Sequence, residues 1–237
     1  VAEAHVVGRA VAAVHADLRR AFGSRLVSGT DADAVFDSLH HRWDTVLAET
    51  PELREHAADV RAVFERARAE NPTLRVQRTH GDLHLGQPLR TARGWVVIDL
   101  EGEPMAPFEE RERLRPTHRD VAGMLRSFDY AAGHRLLAVE RESGDDEPST
   151  SGAGPVADAA GRELAVAAAR QDAFCAGYAR VLDGPRGRPA LLRALRLEKA
   201  VYEVAYELAN RPSCLGSPSR LCAASSGAEP LPTPSVC

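Results

Sequence analysis

At 237 residues the chain is long enough to bury a core of its own without metal or disulfide staples, so one domain of ordinary size with some decoration is expected. A net charge of -4, with both signs interspersed, excludes the basic stripe that a phosphate backbone requires, and nucleic acid is not an expected partner. No apolar run approaches the roughly 18 to 20 residues that span a bilayer, and the N-terminus lacks the pattern of a signal peptide. No membrane is expected as a partner, and the expected location is cytoplasmic.

In chain order, Val7, Val11, Val14 and Leu18 recur at helical spacing and predict an amphipathic helix over about residues 2 to 22. A chain that opens inside a good helix, on Val1 rather than Met, is expected to continue something longer. A second helix is predicted with Asp31 or Asp33 as cap and Phe36, Leu39, Trp43 and Leu47 on one face. A third follows, with Thr50 as cap and Pro51 in the first turn. Leu53, Ala57, Val60 and Phe64 form its apolar face, and Asn71-Pro72 stops it.

Then the period changes. LRVQRT (74 to 79) and WVVIDL (95 to 100) are the only convincing strand-like runs, and Ala92-Arg93-Gly94 predicts a turn into the second. Between them the segment reads as a loop and a short strand. From Arg119 the spacing of Val121, Leu125, Phe128 and Ala132 is helical again. Residues 143 to 160 are small, polar and broken by Pro and Gly, which predicts a mobile loop. Two more helices are predicted, over about 161 to 183 and 189 to 210. Residues 211 to 237 are rich in Ser and Pro without periodicity and are expected to form a disordered, aberrant tail. Cys175, and Cys214, Cys222 and Cys237 in that tail, have no CxxC spacing and read as incidental thiols.

The chemistry gathers in THGDLHLGQPLRTARGWVVIDLEGEP, residues 79 to 104. Asp82 can accept the proton of an attacking hydroxyl, and Gln87, five residues on, can turn back to hold a magnesium ion. Asp99 ends the following strand, where it can complete the metal site, as phosphoryl transfer requires. Glu101 adds a second carboxylate on the same side of the chain if the strand persists. Gln87, Asp99 and Glu101 all offer the oxygen ligands that magnesium prefers. His80-Gly81-Asp82 with Gln87, then Asp99-Leu100-Glu101-Gly102, parallels the loop pair of protein kinases.

HGDLHLGQ, GWVVIDLEGEP and RDVAGMLRSFDYAA (119 to 132) together resemble the C-terminal lobe of the maltokinases, within the aminoglycoside-phosphotransferase-like kinases. EKAVYEVAYELANRP (198 to 212) resembles that family's last helix, and the likeness covers about residues 5 to 212. It implies an α+β, mostly helical fold: a protein-kinase-like C-lobe over residues 1 to 210 with a small catalytic hairpin. It also implies ATP-dependent phosphorylation of maltose to maltose 1-phosphate, with ATP and Mg2+ as cofactors and trehalose synthase as a possible linked partner. Asp82 would be the base, with His80 bracing its loop. Gln87 and Asp99 would hold the metal, with Glu101 as helper.

The chain departs from that family in several places. Pro88 follows Gln87 and restricts it to extended dihedrals, and Leu100 stands where Phe is usual. The N-terminal β-lobe that grips ATP is expected to be absent. Lys199, the only lysine, sits in the last helix, so weak or no activity is expected of the chain by itself. A non-catalytic sugar-binding or docking fragment is the alternative.

Tyr202 and Tyr206, one turn apart, are either sugar-binding candidates or core or rim residues. Arg119 is either a substrate contact or a capping residue with a charge partner, and Asp120 is expected to brace the catalytic loop. His84 reads as packed beneath the loop. His80-Gly-Asp82-Leu-His84 also resembles part of a metallohydrolase site, but His118 and His134 supply no convincing completion. Gly152-Ala-Gly154-Pro155-Val-Ala157 imitates a dinucleotide fingerprint without a preceding strand.

Overall fold

The structure is a computed structural model that describes residues 1–102, 107–143 and 154–210. The tail 211–237 and most of the expected mobile loop lie outside them. Helix α1 (Ala2–Phe22) buries Ala4, Val7, Gly8, Val11, Ala12 and His15, a stripe at intervals of three and four that ends on a polar residue. It crosses α6 (Gly154–Tyr178) backbone to backbone. A β-carbon on Gly8 would lie 2.1 Å from the Phe174 carbonyl oxygen, and one on Gly177 would lie 1.9 Å from that of His5. Only glycine permits this approach, and it sets His15 against Tyr178.

Strand β1 (Ser24–Ser28) pairs antiparallel with β2 (Thr73–Gln77), Ser24 opposite Gln77 and Ser28 opposite Thr73. The sequence reading missed β1 because only Val27 among its five residues is buried and no alternation shows. Its punctuation was legible: Gly23 and Gly29 on either side have φ of 79° and 55°, which glycine adopts without strain.

Helix α2 (Thr30–Glu49) buries Phe36, Leu39, Trp43 and Val46. Neither aspartate caps it. Gly29 is the N-cap, and Asp31 and Asp33 lie inside the first turn, where their negative charge is favourable at the positive end of the helix dipole. The third predicted helix divides into a 3-10 segment, Pro51–His56, and α3 (Ala57–Glu70), with no side-chain bond from Thr50. Asn71 ends α3, its side-chain N–H donating to the Ala67 carbonyl at 2.8 Å.

Strands β3 (Pro88–Thr91) and β4 (Gly94–Val97) form a hairpin with Pro88 opposite Val97. Pro88 occupies a strand's first position, where its missing N–H costs little. After α4 (Phe108–Arg111), helix α5 (His118–Ser143) packs between α6 and α7 (Pro189–Asn210), and α7 leans on α2 and α3. Helix α6 starts at Gly154 rather than near 161, with Pro155 in its first turn, so that proline opens the helix where it was read as a breaker. It ends at Tyr178, short of 183. Phe36, Trp43, Phe64, Leu74, Met124, Leu125, Phe174 and Leu191 anchor the shared core. Among the described residues no helix is long and apolar enough to cross a membrane.

Candidate active site

The segment from His80 to Gln87 is seated on one face of α5. Asp120 accepts the His80 backbone N–H at 2.7 Å through Oδ2 and the Gly81 N–H at 3.0 Å through Oδ1. One turn on, a β-carbon at Gly123 would lie 2.4 Å from the Leu83 carbonyl oxygen, so the loop rests on bare helix backbone. Another turn on, Ser127 Oγ accepts the Leu85 N–H at 3.1 Å. Positions 120, 123 and 127 share a helical face, and together they fix the loop's height, tilt and register.

Asp120 is buried, and its Oδ2 also accepts from His15 Nε2 at 2.8 Å, while His15 Nδ1 lies 2.8 Å from the Tyr178 hydroxyl. Burial by itself would raise the Asp120 carboxyl. The bonds from His15, Gly81 and His80 outweigh it and hold the group below the usual carboxylate range. Asp120 thus braces the loop as a charged acceptor. The chain Tyr178–His15–Asp120 ties the brace to α1 and α6.

His80 is itself buried. Its Nε2–H donates to the Ile98 carbonyl at 2.9 Å, and Nδ1 accepts the Asp82 N–H at 3.3 Å, two contacts that one neutral tautomer satisfies. His80 therefore clamps the loop to the chain just ahead of Asp99. Asp99 adopts φ of 66°, the one described non-glycine residue with positive φ, and the β4 strand has already ended at Val97. This turn brings the Asp99 carboxylate back toward Gln87, whose Nε2 donates to Oδ2 at 3.0 Å.

The expectation for Glu101 fails on the same feature. The strand does not persist, the chain turns at Leu100 and Glu101, and the alternation that would put Glu101 on the side of Asp99 is lost, both residues being exposed. His84 also differs from expectation: it is exposed, with Nδ1 accepting the Gly86 N–H at 3.1 Å and Nε2 at 3.2 Å from Gln87 Nε2. The tight turn from His84 to Gln87, closed by the Gln87 N–H to the His84 carbonyl at 3.0 Å, lifts the ring outward.

Two oxygen ligands at about 2.1 Å on adjacent octahedral positions of Mg2+ lie about 3 Å apart. The Gln87 amide and Asp99 Oδ2, at 3.0 Å, already have that spacing, so the pair fits such an ion once the amide turns its oxygen inward. Among the described residues no group of three or more His, Cys, Asp and Glu stands ready to hold a metal. A two-ligand Mg2+ site completed by phosphates and water is the pattern this donor set suits.

Asp82 is partly exposed, and 3.7 Å from its Oδ1 stands the Nζ of Lys199, which sequence reasoning left without a role. Helix register places it there. Its neighbour Glu198 is buried and takes Arg42 at 2.8 Å and Arg119 at 3.4 Å. Burial raises Glu198, but the two guanidinium groups and Lys199 hold it ionised, below its ordinary value. Arg42 and Arg115 both reach Glu110 at 2.6 Å. Burial, with Arg119 and Arg42 close by, pushes Arg115 down to about 10.

Arg119 is therefore buried in an ion pair with Glu198, which matches the charge-partner alternative. Tyr202 is exposed, one turn beyond Glu198, and the Tyr206 side chain lies outside the described residues. A signal for Lys199 existed in the sequence: a lone lysine next to a helical glutamate in an otherwise arginine-only chain.

The chain is 31% identical over 216 residues to a glucosamine kinase of Mycolicibacterium smegmatis, a match covering 86% of this chain and 49% of that protein. It is 31% identical over 150 residues to a glucosamine kinase of Streptacidiphilus jiangxiensis, covering 60% and 33% respectively. A solved glucosamine kinase in complex with glucosamine, ADP and inorganic phosphate superposes with a TM-score of 0.67 at 25% identity, over 88% of this chain and 48% of that one. A second crystal form gives 0.67 at 25% identity, over 88% and 49%. The chain thus spans half or less of the length of the curated relatives it matches. No family model matches it. The likeness extends to fold and to sequence, and the fold is kinase-like.

Proposed function

We propose that this chain carries the catalytic portion of a sugar kinase, which moves the γ-phosphoryl group of ATP to a sugar hydroxyl with Mg2+ as cofactor. The observation that supports this most is the Gln87 amide set 3.0 Å from the Asp99 carboxylate, on a loop whose backbone Asp120 pins beside Asp82. Asp82 accepts the hydroxyl proton as the sugar oxygen bonds to the γ-phosphorus. The bond from that phosphorus to the β,γ-bridging oxygen breaks, and ADP leaves with the electron pair. Gln87 and Asp99 would hold the ion, which neutralises charge on the phosphates when bound. Lys199, at 3.7 Å from Asp82, steadies the negative charge that gathers where acceptor and phosphoryl group meet.

For the acceptor, the relatives favour glucosamine, since both curated kinases and the solved complex carry that sugar in their names. The maltose expectation keeps only the motif likeness it began with. Neither maltose nor trehalose synthase as a partner gains support from the comparisons.

A coupled assay of ADP release with glucosamine, maltose and glucose tests the reading. Sugar-dependent turnover that Asp82→Asn lowers by about 10^3-fold or more is expected. Undiminished turnover in Asp82→Asn sinks the assignment. Sugar binding with no turnover supports the non-catalytic alternative.

A further inference from the structure

His84 makes two contacts that no single neutral imidazole can satisfy as drawn. Its Nδ1 accepts the Gly86 N–H at 3.1 Å, so Nε2 carries the ring proton, yet Nε2 faces the Gln87 Nε2, another donor, at 3.2 Å. The same Gln87 nitrogen donates to Asp99 Oδ2 at 3.0 Å. Turning the Gln87 amide by half a turn reverses both relations. Its oxygen then accepts the His84 Nε2–H, and that oxygen faces Asp99 Oδ2, an arrangement of two oxygens that only a cation between them makes favourable.

From this conflict we infer that His84 is a positioning residue for the metal site: its Nε2–H holds the Gln87 amide oxygen toward the cation. This rests on the assignment of Gln87 and Asp99 as metal ligands. The amide has two orientations. With its N–H toward Asp99, the amide leaves His84 opposed by a like group. With a cation, the amide oxygen turns inward, and His84 donates to it and keeps its bond from Gly86. His84 thereby penalises the orientation with the N–H inward and supports the one that offers the amide oxygen to a cation.

Gly86 is the part that makes this possible. It is not among the glycines with positive φ, so backbone conformation does not demand it. Room does: a β-carbon there would lie 2.8 Å from His84 Cε1 and 3.0 Å from Nδ1, inside the ring's own space. Position 86 is bare so that the imidazole can lie over the turn and take its N–H. The exposure of His84 fits the same role, because a ring that reaches the ligand amide from the solvent side need not displace the packed loop.

The test uses Mn2+, which takes the oxygen ligands of Mg2+ and is read directly as free ion by electron paramagnetic resonance. His84→Ala and Gly86→Ala are each expected to weaken Mn2+ binding by about tenfold or more, the usual cost of losing a partner that orients a metal ligand. Gln87→Ala should weaken it further, with all three variants keeping the wild-type thermal melt. Long-range proton–nitrogen correlation of the metal-free protein should show His84 protonated at Nε2 and bare at Nδ1. Wild-type affinity in both His84→Ala and Gly86→Ala, or the opposite tautomer, overturns the inference while Gln87→Ala and Asp99→Asn still report on the site. A wild-type chain that binds no Mn2+, or one indifferent to Gln87→Ala and Asp99→Asn, overturns the metal assignment and the inference with it.

Discussion

Asp120→Asn separates the charge of the brace from its shape. The carboxylate accepts three donors: the His80 N–H at 2.7 Å and His15 Nε2 at 2.8 Å through Oδ2, and the Gly81 N–H at 3.0 Å through Oδ1. An asparagine of the same volume keeps one oxygen. Placed at Oδ2, it retains two of the bonds but turns its NH2 against the Gly81 N–H, leaving two donors face to face in a buried site. The lost bond to a charged acceptor and the stranded N–H together cost about 2 to 4 kcal/mol. Urea denaturation at pH 7 checks the stability, and hydrogen exchange at Gly81 should accelerate along with it. The sign of the pH dependence follows from the carboxyl being held below its unfolded value. The wild-type advantage is fully present above the unfolded value near 3.9 and disappears as pH falls through the folded one. A variant within about 0.5 kcal/mol of wild type at pH 7, with Gly81 still protected, would refute the charged-brace argument.

The other predictions fall on neighbouring parts. Gly123→Ala should improve helix propensity by about 1 kcal/mol and still impair turnover, because its methyl must displace the Leu83 carbonyl from 2.4 Å; unchanged kcat would show that the loop tolerates the shift. Lys199→Ala should change stability by less than about 1 kcal/mol, since its pair with Asp82 is loose at 3.7 Å, and should lower kcat by about tenfold or more; equal kcat would leave Lys199 a bystander. Burial, aided by Arg188, pushes His118 down to about 4, so it is neutral in the folded protein and protonates more readily when unfolded. Stability should therefore fall by about 1 kcal/mol per pH unit between roughly 6.5 and 4, and His118→Phe should flatten that slope in chemical denaturation; an identical slope would place the loss in other groups.

What the sequence disclosed divides by the range of the forces involved. Helices α1, α2 and α7 were legible because each carries one apolar stripe against a polar face, and the meeting of Gln87 with Asp99 because both lie at the ends of a short hairpin. β1 was not legible, since a five-residue strand with one buried side chain owes its pairing to β2, far along the chain. The end of β4 ahead of Glu101 was not legible, because extending a strand pattern cannot foresee a positive φ at Asp99. His84 was read as buried since an imidazole amid leucines suggests a core, whereas a tight turn at residues 84 to 87 points it outward.

Lys199 was the hardest to foresee, and its placement shows why. Nothing within four residues on α7 points to Asp82. Its aim is set by Glu198, which is buried and therefore must find its two arginines, one from α2 and one from α5. Rotating α7 away from both arginines would leave the Glu198 charge without compensation in the core, a cost of several kcal/mol, so α7 has little freedom to turn about its axis. With Glu198 fixed inward, the next residue lies about 100° further round the helix, on the side where the loop carries Asp82. The one lysine of the chain thus meets the candidate base through a buried acid that is itself anchored on two arginines away from the loop.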